Sequence, residues 1–336
     1  MRLLICTQIV DTEDPILGFF HGWLLEFAKR FESVHVICLK EGKHDLPAHV
    51  HIHSLGKEDG VSYIRYITRL MSYVWTLRNE HDVVFSHMNP HYIVLAGWFW
   101  RLKKKKIFFW RNHAKMNVLT RIAASFARRV FYTSPYACTR IFSHAVQMPV
   151  GIDMSVFQPQ ADVNRRDHTV LLLGRLSPVK RPEIFMEAST LVPQYSFHSY
   201  GSVQEGAHAY HAMLEEKSQG HVTFHSAVPN YETPKIYSAY DIYVNLTPEG
   251  SMDKTVLEAS ACGALVLVAN TSFKGLVPEE CLISGQSPEA LASHIRVLTE
   301  LPRETKEAYR VQLQRMVAEK HSLTQLVTEL HNQFSL

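Results

Sequence analysis

The chain has 336 residues, a length that predicts two domains. Of these residues 46% are hydrophobic and 20% are charged, a composition typical of a soluble protein. The longest apolar run, residues 92–100, is too short to cross a bilayer, and acidic residues from Asp11 onward do not fit a signal peptide. The five cysteines are scattered and never spaced C-x-x-C, so neither a disulfide framework nor a zinc site is indicated. We expect a cytoplasmic protein with reduced, mostly buried thiols.

The two halves of the chain differ in charge. Residues 1–150 contain 20 lysines and arginines against 11 aspartates and glutamates, a balance of +9, whereas the remainder has 15 against 21, a balance of −6. A basic first half indicates an anionic partner, for which phospholipid, a phosphorylated carrier and nucleic acid are all admissible.

Short apolar strands alternate with amphipathic helices in both halves, which is the pattern of parallel α/β layers. In the first half the pattern predicts strands at 3–7, 34–39, 50–54, 83–87, 106–110, 130–133 and 145–148, and helices at 20–31, 61–78 and 91–102. In the second half it predicts strands at 169–174, 195–200, 222–226, 242–246 and 264–269, with a final helix at 322–334. Pro and Gly interrupt residues 149–168, which we interpret as the hinge.

Open parallel sheets bind ligands at the carboxyl ends of their strands, so residues that follow strands are the first candidates for a site. Arg175 and Lys180 follow the predicted strand 169–174, and Pro182 suits the first position of the next helix. Two cations near a helix N-terminus predict an anion site that a diphosphate would satisfy, although both could be solvated loop charges.

The segment 247–263, "TPEGSMDKTVLEASACG", also follows a predicted buried strand. Gly250 permits close approach of the backbone, and Ser251 or Asp253 can cap the helix that follows. A carboxylate at Glu258, two turns into that helix, could accept hydrogen bonds from a ribose diol. The alternative is that Glu249 and Glu258 are solvated charges.

Arg175 and Lys180, with "VGIDMSVFQP" before their strand and "EGSMDKTVLEASACGALVLVAN" after, resemble the family-4 retaining glycosyltransferases of the GT-B fold across residues 149–270. The resemblance implies an α/β chain of two Rossmann-like domains with a cleft between them. Residues 1–150 would form the acceptor-side domain and 151–321 the nucleotide-sugar-binding domain. Residues 322–336 would form a helix that packs back across the domain boundary.

The resemblance also implies roles for individual residues. Arg175 and Lys180 would hold the donor diphosphate, and Glu258 would bind the ribose. The turn of Gly250, Ser251 and Met252 would contact the donor sugar and phosphates.

The family carries two glutamates spaced E-x7-E, of which the later one binds the ribose. The first does not align here, because Gly250 lies eight residues before Glu258 and Glu249 lies nine before. A longer turn could restore the sugar contact of Glu249, or Ser251 and the local backbone could replace it. In the first half, Gly18 would belong to the donor and acceptor loop. His113, after a strand, matches a family histidine that contacts the transferred sugar, so Glu249 and His113 are the catalytic candidates.

The implied reaction is that of a hexosyltransferase-like enzyme. It would move a sugar from a nucleotide diphosphate donor to a hydroxyl of a glycan or lipid-linked acceptor, with retention, in cell-surface polysaccharide or glycolipid synthesis. If the acceptor attacks from the front face, the enzyme must mainly stabilise the departing diphosphate. Fixed cations and a helix N-terminus can provide this stabilisation. No D-x-D follows a strand in a suitable place, so we expect neither a metal nor another cofactor.

The segment 97–110, "GWFWRLKKKKIFFW", combines interfacial aromatics with basic charge, as in proteins that rest on anionic bilayers. Contact through this segment would place the protein on the inner face of the membrane, and the residues involved would be Trp98, Trp100, Lys103, Lys104, Lys105 and Lys106. The alternative is a packed helix followed by a solvated lysine turn.

Two other functions are open. A sugar-nucleotide epimerase of GT-B-like shape would convert the donor without an acceptor. A non-catalytic protein that binds membranes or nucleic acid would depend on Lys103 to Lys106, although we expect no nucleic acid partner. The absence of G-x-G-x-x-G after a strand argues against a hydride-transferring Rossmann enzyme.

Overall fold

A computed structural model describes residues 1–14, 16–201, 208–250 and 252–336 of the chain. The chain divides into two compact units, one formed by Met1–Gly151 with Leu323–Leu336 and the other by Ile152–Ser322. Each unit contains a parallel sheet flanked by helices, so the predicted α/β class is confirmed. Of the helices within these described ranges, none is both long enough and apolar enough to cross a membrane.

The first unit is built on a seven-stranded parallel sheet with the order β3-β2-β1-β4-β5-β6-β7. Its strands are β1 (Arg2–Val10), β2 (Ser33–Glu41), β3 (Val50–Ser54), β4 (Val83–His87), β5 (Lys106–Trp110), β6 (Arg129–Tyr132) and β7 (Ala145–Gln147). Its helices are α1 (Phe20–Ala28), α2 (Tyr63–Thr76), α3 (His91–Leu102), α4 (Val118–Phe126) and α11 (Leu323–Ser335).

The core of the first unit is largely aromatic. Every residue of β4 is buried, because helices cover both faces of the sheet at its centre. Phe27 of α1 packs edge-on against Phe85 of β4 with ring centroids 6.0 Å apart. Phe334 of α11 lies 4.7 Å from Phe108 of β5, so the last helix of the chain completes the core of the first unit.

The second unit has a five-stranded parallel sheet with the order β10-β9-β8-β11-β12. Its strands are β8 (Arg166–Leu173), β9 (Ser196–Tyr200), β10 (Val222–His225), β11 (Tyr240–Asn245) and β12 (Leu265–Val268). Its helices are α5 (Pro182–Leu191), α6 (His208–Ser218), α7 (Thr233–Ala239), α8 (Lys254–Ala261), α9 (Pro288–Glu300) and α10 (Arg303–Lys320).

Each predicted strand corresponds to an observed one, and most ends agree within two residues. The strand predicted at 3–7 extends to Val10, because its last residues pair with β2. The helix predicted at 61–78 begins at Tyr63, since the Ser62 hydroxyl caps it by accepting a hydrogen bond from the Arg65 amide. Four cysteines are buried and Cys138 is half-buried, all as free thiols.

One ion pair is buried between α10 and β11. The Arg310 guanidinium binds the Asp241 carboxylate, and both side chains are nearly inaccessible to solvent. Glu307 lies 3.5 Å from the same guanidinium but is largely exposed. Removing one partner of such a pair leaves an uncompensated charge in the interior, which is strongly destabilising.

Arg310→Met tests this pair, because methionine keeps much of the side-chain volume and removes the charge. We expect the free energy of unfolding to fall by about 3–5 kcal/mol, measured by urea denaturation of the full chain. Arg315→Met on the same helix is the matched control, since the pair of Arg315 with Glu319 is exposed and should contribute little. Equal effects of the two substitutions would contradict the role assigned to Arg310.

Candidate functional site

The backbone is tightly packed where β8 and β9 end. The Gly174 amide donates to the Tyr200 carbonyl at 2.9 Å, and Gly174 has a φ of +142°. A Cβ atom on Gly201 would lie 2.1 Å from the Gly174 carbonyl oxygen, so only glycine fits there. This packing fixes the backbone immediately before Arg175 at the carboxyl edge of the sheet.

Arg175 and Lys180 line one narrow pocket at this edge, together with Asn245 and Thr247 from the end of β11. Arg175 is exposed and Lys180 is half-buried. Pro182 is the first residue of α5, which confirms the predicted start of that helix. The structure therefore places Arg175 and Lys180, which both follow β8, beside the carboxyl end of the neighbouring strand β11.

Asp253 connects this pocket to the start of α8. Its Oδ2 atom accepts hydrogen bonds from Asn245 Nδ2 at 2.8 Å and Thr247 Oγ1 at 2.6 Å, and it also binds the Lys180 ammonium. Asp253 occupies the N-cap position of α8, but its side chain makes no capping hydrogen bond. Of the two capping candidates, Asp253 does not cap the helix, because its carboxylate binds Lys180 instead, and Ser251 lies outside the described residues.

The environment of Asp253 favours its charged form. Burial opposes ionisation, but the Lys180 ammonium and the hydrogen bonds from Thr247 and Asn245 outweigh it, so the pKa of Asp253 is held below its usual value. The carboxylate in turn fixes the position of Lys180. Sequence reasoning missed Asn245 and Thr247 as parts of the pocket, although both lie at the end of a predicted strand.

Glu258 is buried within the second unit, with 3% of its surface exposed. The alternative that it is a solvated helix charge was therefore wrong. Burial raises the pKa of Glu258, whereas the Lys254 ammonium and hydrogen bonds from Asn230 and Tyr237 act in the opposite direction. The Tyr237 hydroxyl donates to Glu258 Oε2 at 3.4 Å. Whether Glu258 binds a ribose stays a prediction.

Lys254, the first residue of α8, is a further charged residue that sequence reasoning missed. Burial lowers the pKa of Lys254 to about 8, against the opposing effects of Glu258 and Asp153. Lys254 precedes Glu258 by four residues, a spacing that places both on one side of a helix. This four-residue spacing could have identified Lys254 from the sequence as a neighbour of Glu258.

The turn before α8 is only partly described, because Ser251 lies outside the described residues. Glu249 is exposed, and its Oε1 accepts a hydrogen bond from Thr271 Oγ1 at 2.8 Å. Gly250 has a φ of +137°, a conformation that favours glycine, and Met252 is buried. The turn is thus constrained, while the roles of its residues toward a donor stay predictions.

The predicted residues of the first unit lie in two of its loops. Gly18 precedes α1, and a Cβ atom there would lie 2.6 Å from the Asp14 carbonyl oxygen, so the loop requires glycine. His113 is exposed in the loop after β5, and its Nδ1 atom accepts a hydrogen bond from the Lys115 amide at 3.0 Å. Their functional roles stay predictions.

The predicted membrane segment is divided between surface and core. Trp98 is 54% exposed, but Trp100 is 1% exposed and cannot touch a membrane. Lys105 donates to the His81 carbonyl, and Lys106 donates to the carbonyls of Phe334 and Ser335 at the end of α11. The assignment of Trp100 was therefore wrong, and Lys105 and Lys106 have structural partners. Lys103 and Lys104 are exposed.

Known proteins resemble this chain in part of its sequence and in its fold. Residues 180–332 match the family model described as glycosyl transferase-like. A search of curated proteins found no match. Among solved structures, the chain is similar to HepE from Anabaena, solved in complex with UDP, with 16% identity, a TM-score of 0.77 and complete coverage of both chains.

Two further solved structures have the same fold. Sucrose-phosphate synthase from Thermosynechococcus elongatus is 17% identical, with a TM-score of 0.76 and 98% of each chain covered. A glycosyltransferase from Rickettsia africae is 11% identical, with a TM-score of 0.74 and coverage of 98% of this chain and 97% of that one. The fold is GT-B. The match of residues 180–332 to the glycosyl transferase-like model, within the second half of the chain, supports a glycosyltransferase enzyme.

Asp253→Ala tests whether this carboxylate organises the pocket. The substitution leaves buried donors on Asn245 and Thr247 without their acceptor. We therefore expect the free energy of unfolding to fall by about 2–4 kcal/mol. The measurement is urea denaturation of the full chain. Glu249→Ala is the control, because the exposed Glu249 accepts one hydrogen bond and should contribute little. If Asp253→Ala lowers the free energy of unfolding by no more than Glu249→Ala does, Asp253 does not organise the pocket.

Proposed function

We propose that the chain is a family-4-like retaining glycosyltransferase that transfers a sugar from a nucleotide diphosphate donor without a metal ion. The observation that carries this proposal is the meeting of Arg175 and Lys180 in one pocket with Asn245 and Thr247. Fixed cations at the carboxyl edge of a parallel sheet suit a diphosphate, and they would stabilise the negative charge that develops on it as the leaving group.

The two cations have different tasks in this mechanism. Lys180 is oriented by Asp253 before any donor arrives, so little of its freedom is lost on binding. Arg175 is exposed, and its planar guanidinium suits bidentate contact with phosphate oxygens. The departing diphosphate would take up the acceptor proton on the face where the acceptor attacks, which preserves the anomeric configuration.

The remaining donor contacts are assigned by the resemblance. Glu258 would bind the ribose, while Gly250, Ser251 and Met252 would contact the sugar and phosphates. Glu249 and His113 are the candidates for contact with the transferred sugar. The acceptor would be a hydroxyl of a glycan or lipid-linked molecule in cell-surface polysaccharide or glycolipid synthesis. UDP is the first nucleotide to test, because HepE was solved in complex with UDP.

Arg175→Ala and Lys180→Ala test the donor site with a panel of nucleotide sugars. We expect at least one sugar nucleotide to stabilise the native chain against heat and to be hydrolysed slowly. Each substitution should weaken its binding by roughly 10- to 100-fold, the loss of a charged hydrogen bond. Binding is measured by thermal shift, and the anomer of the released or transferred sugar by NMR.

Lys235→Ala is the control, because Lys235 is an exposed cation of the same unit that does not line the pocket. It should leave donor binding unchanged. The donor assignment fails if no sugar nucleotide binds, or if binding survives both pocket substitutions. Release of an epimerised nucleotide sugar without any acceptor would favour the epimerase instead.

We further propose that the first unit contacts anionic membranes through a surface that keeps Trp98, Lys103 and Lys104 of the predicted segment and adds residues of α4. This α3–α4 surface consists of Trp98, Leu102, Lys103, Lys104, Val118, Arg121 and Ile122. The Arg101 guanidinium donates to the carbonyls of Ser125 and Phe126, which holds the two helix ends together. The apolar members are exposed, Leu102 and Val118 by 70% each. Residues 101–150 contain 11 lysines and arginines and no acidic residue.

The double substitution Lys103→Glu with Arg121→Glu tests this surface. We expect the native chain to sediment with phosphatidylcholine vesicles only when phosphatidylglycerol is included. The double variant should bind at least about tenfold more weakly, because each basic residue contributes about 1 kcal/mol near an anionic surface. Lys29→Glu with Arg30→Glu, also exposed in the first unit, is the matched control. Equal losses in both variants, or preferential binding to duplex DNA, would refute the membrane surface.

A further inference from the structure

The first unit contains a cavity of about 260 Å³ between α2, α3 and the carboxyl ends of β2 and β3. Its aliphatic wall consists of Leu39, Leu55, Ile67, Leu70 and Leu95. A dry apolar cavity of roughly 150 Å³ already accepts benzene, so this one has room for a ring or a short alkyl segment. None of the residues assigned to the donor lines it.

The interior of the cavity offers little hydrogen bonding. Tyr92 is buried in its wall, but the Tyr92 hydroxyl donates to the Thr7 carbonyl at 2.5 Å. Leu55 and Leu70 belong to the same buried cluster as Tyr92 and contribute only hydrocarbon. A ligand group that packs against these leucines is therefore apolar, because a polar group there would lose its hydrogen bonds to water, and Tyr63 and Tyr66 also line the cavity.

The polar residues that line the cavity include an exposed cation. Lys57 is exposed and lines it together with Asn89 and His91. The Asn89 carboxamide oxygen accepts hydrogen bonds from both the amide and the Nδ1 atom of His91, which fixes the pair. The exposed Lys57 would suit an anionic group attached to an apolar one.

The neighbouring carboxylates are engaged elsewhere. Glu58 accepts hydrogen bonds from the Ser54 hydroxyl and from the Glu41 amide. Asp59 lies 3.9 Å from the Arg69 guanidinium. Within the described ranges Lys57 forms no ion pair, whereas Asp59 pairs with Arg69.

We propose that this cavity binds the start of the aliphatic chain of an amphiphilic acceptor, whose phosphate contacts Lys57. The cavity lies at the carboxyl edge of the first sheet, where Rossmann-like units bind their ligands. Its apolar wall fits the chain, and the positive charge of Lys57 fits the phosphate. The inference deepens the proposed function and rests on it, because it selects a lipid-linked acceptor over a free glycan.

Ile67→Trp tests the cavity by filling it. The probe is decyl phosphate below its critical micelle concentration, titrated calorimetrically into the full chain, with inorganic phosphate and decanol as reference probes. We expect decyl phosphate to bind more tightly than either reference. Filling the cavity should weaken its binding by at least about tenfold, because the chain can no longer be buried.

Ile64→Trp is the matched control, since Ile64 lies on the same helix, is 74% exposed and does not line the cavity. It should change decyl phosphate binding by less than about twofold. Lys57→Gln should reduce the advantage of decyl phosphate over decanol and leave decanol binding unchanged. Leu95→Phe, a smaller filling substitution, should weaken decyl phosphate binding in the same direction even if Ile67→Trp does not fold.

Undiminished binding of decyl phosphate to both filling variants, or no binding to the native chain, overturns the proposal. UDP binding is measured in the same samples as an independent readout of the second unit. If neither UDP nor any nucleotide sugar of the panel binds while decyl phosphate binds to the cavity, the donor assignment fails and the cavity assignment stands. If UDP binds but decyl phosphate does not, the cavity assignment fails and the donor assignment stands.

Discussion

The pocket of the second unit depends on one buried carboxylate. Asp253 Oδ2 receives donors from two strand-end residues, Asn245 and Thr247, and from Lys180, which lies 73 positions earlier in the chain. A buried carboxylate is unfavourable by itself, but three donors on one oxygen offset its desolvation. The ends of β8 and β11 are thereby connected through side chains as well as through the sheet.

The parallel sheets made most of the fold predictable. Apolar strands alternating with helices identified every strand of both units, and the rule that ligands bind at the carboxyl edge selected Arg175 and Lys180. The partner of Asp253 was not predictable in the same way. Capping is a local interaction that can be read from sequence, whereas the contact with Lys180 exists only after two distant strands have been placed side by side.

The predicted membrane segment, residues 97–110, shows a second limit of prediction from sequence. Trp98 and Trp100 are two positions apart on α3, and residues at that spacing point to different sides of a helix. Helix geometry alone therefore predicts that only one of them can be exposed. What the sequence could not reveal is that Lys106 would meet the last residues of the chain, because that contact requires α11 to pack beside β5.

Positive potential at the donor pocket must be local, because the part of the chain from residue 151 onward has a net charge of −6. Charges farther apart than about 8 Å are largely screened at physiological ionic strength, so the neighbours of a phosphate matter more than the total. Asp253 partly neutralises Lys180, yet it also accepts from Asn245 and Thr247. In the proposed reaction Lys180 can keep its contact with Asp253 and still donate to the diphosphate, because an ammonium carries three N–H donors.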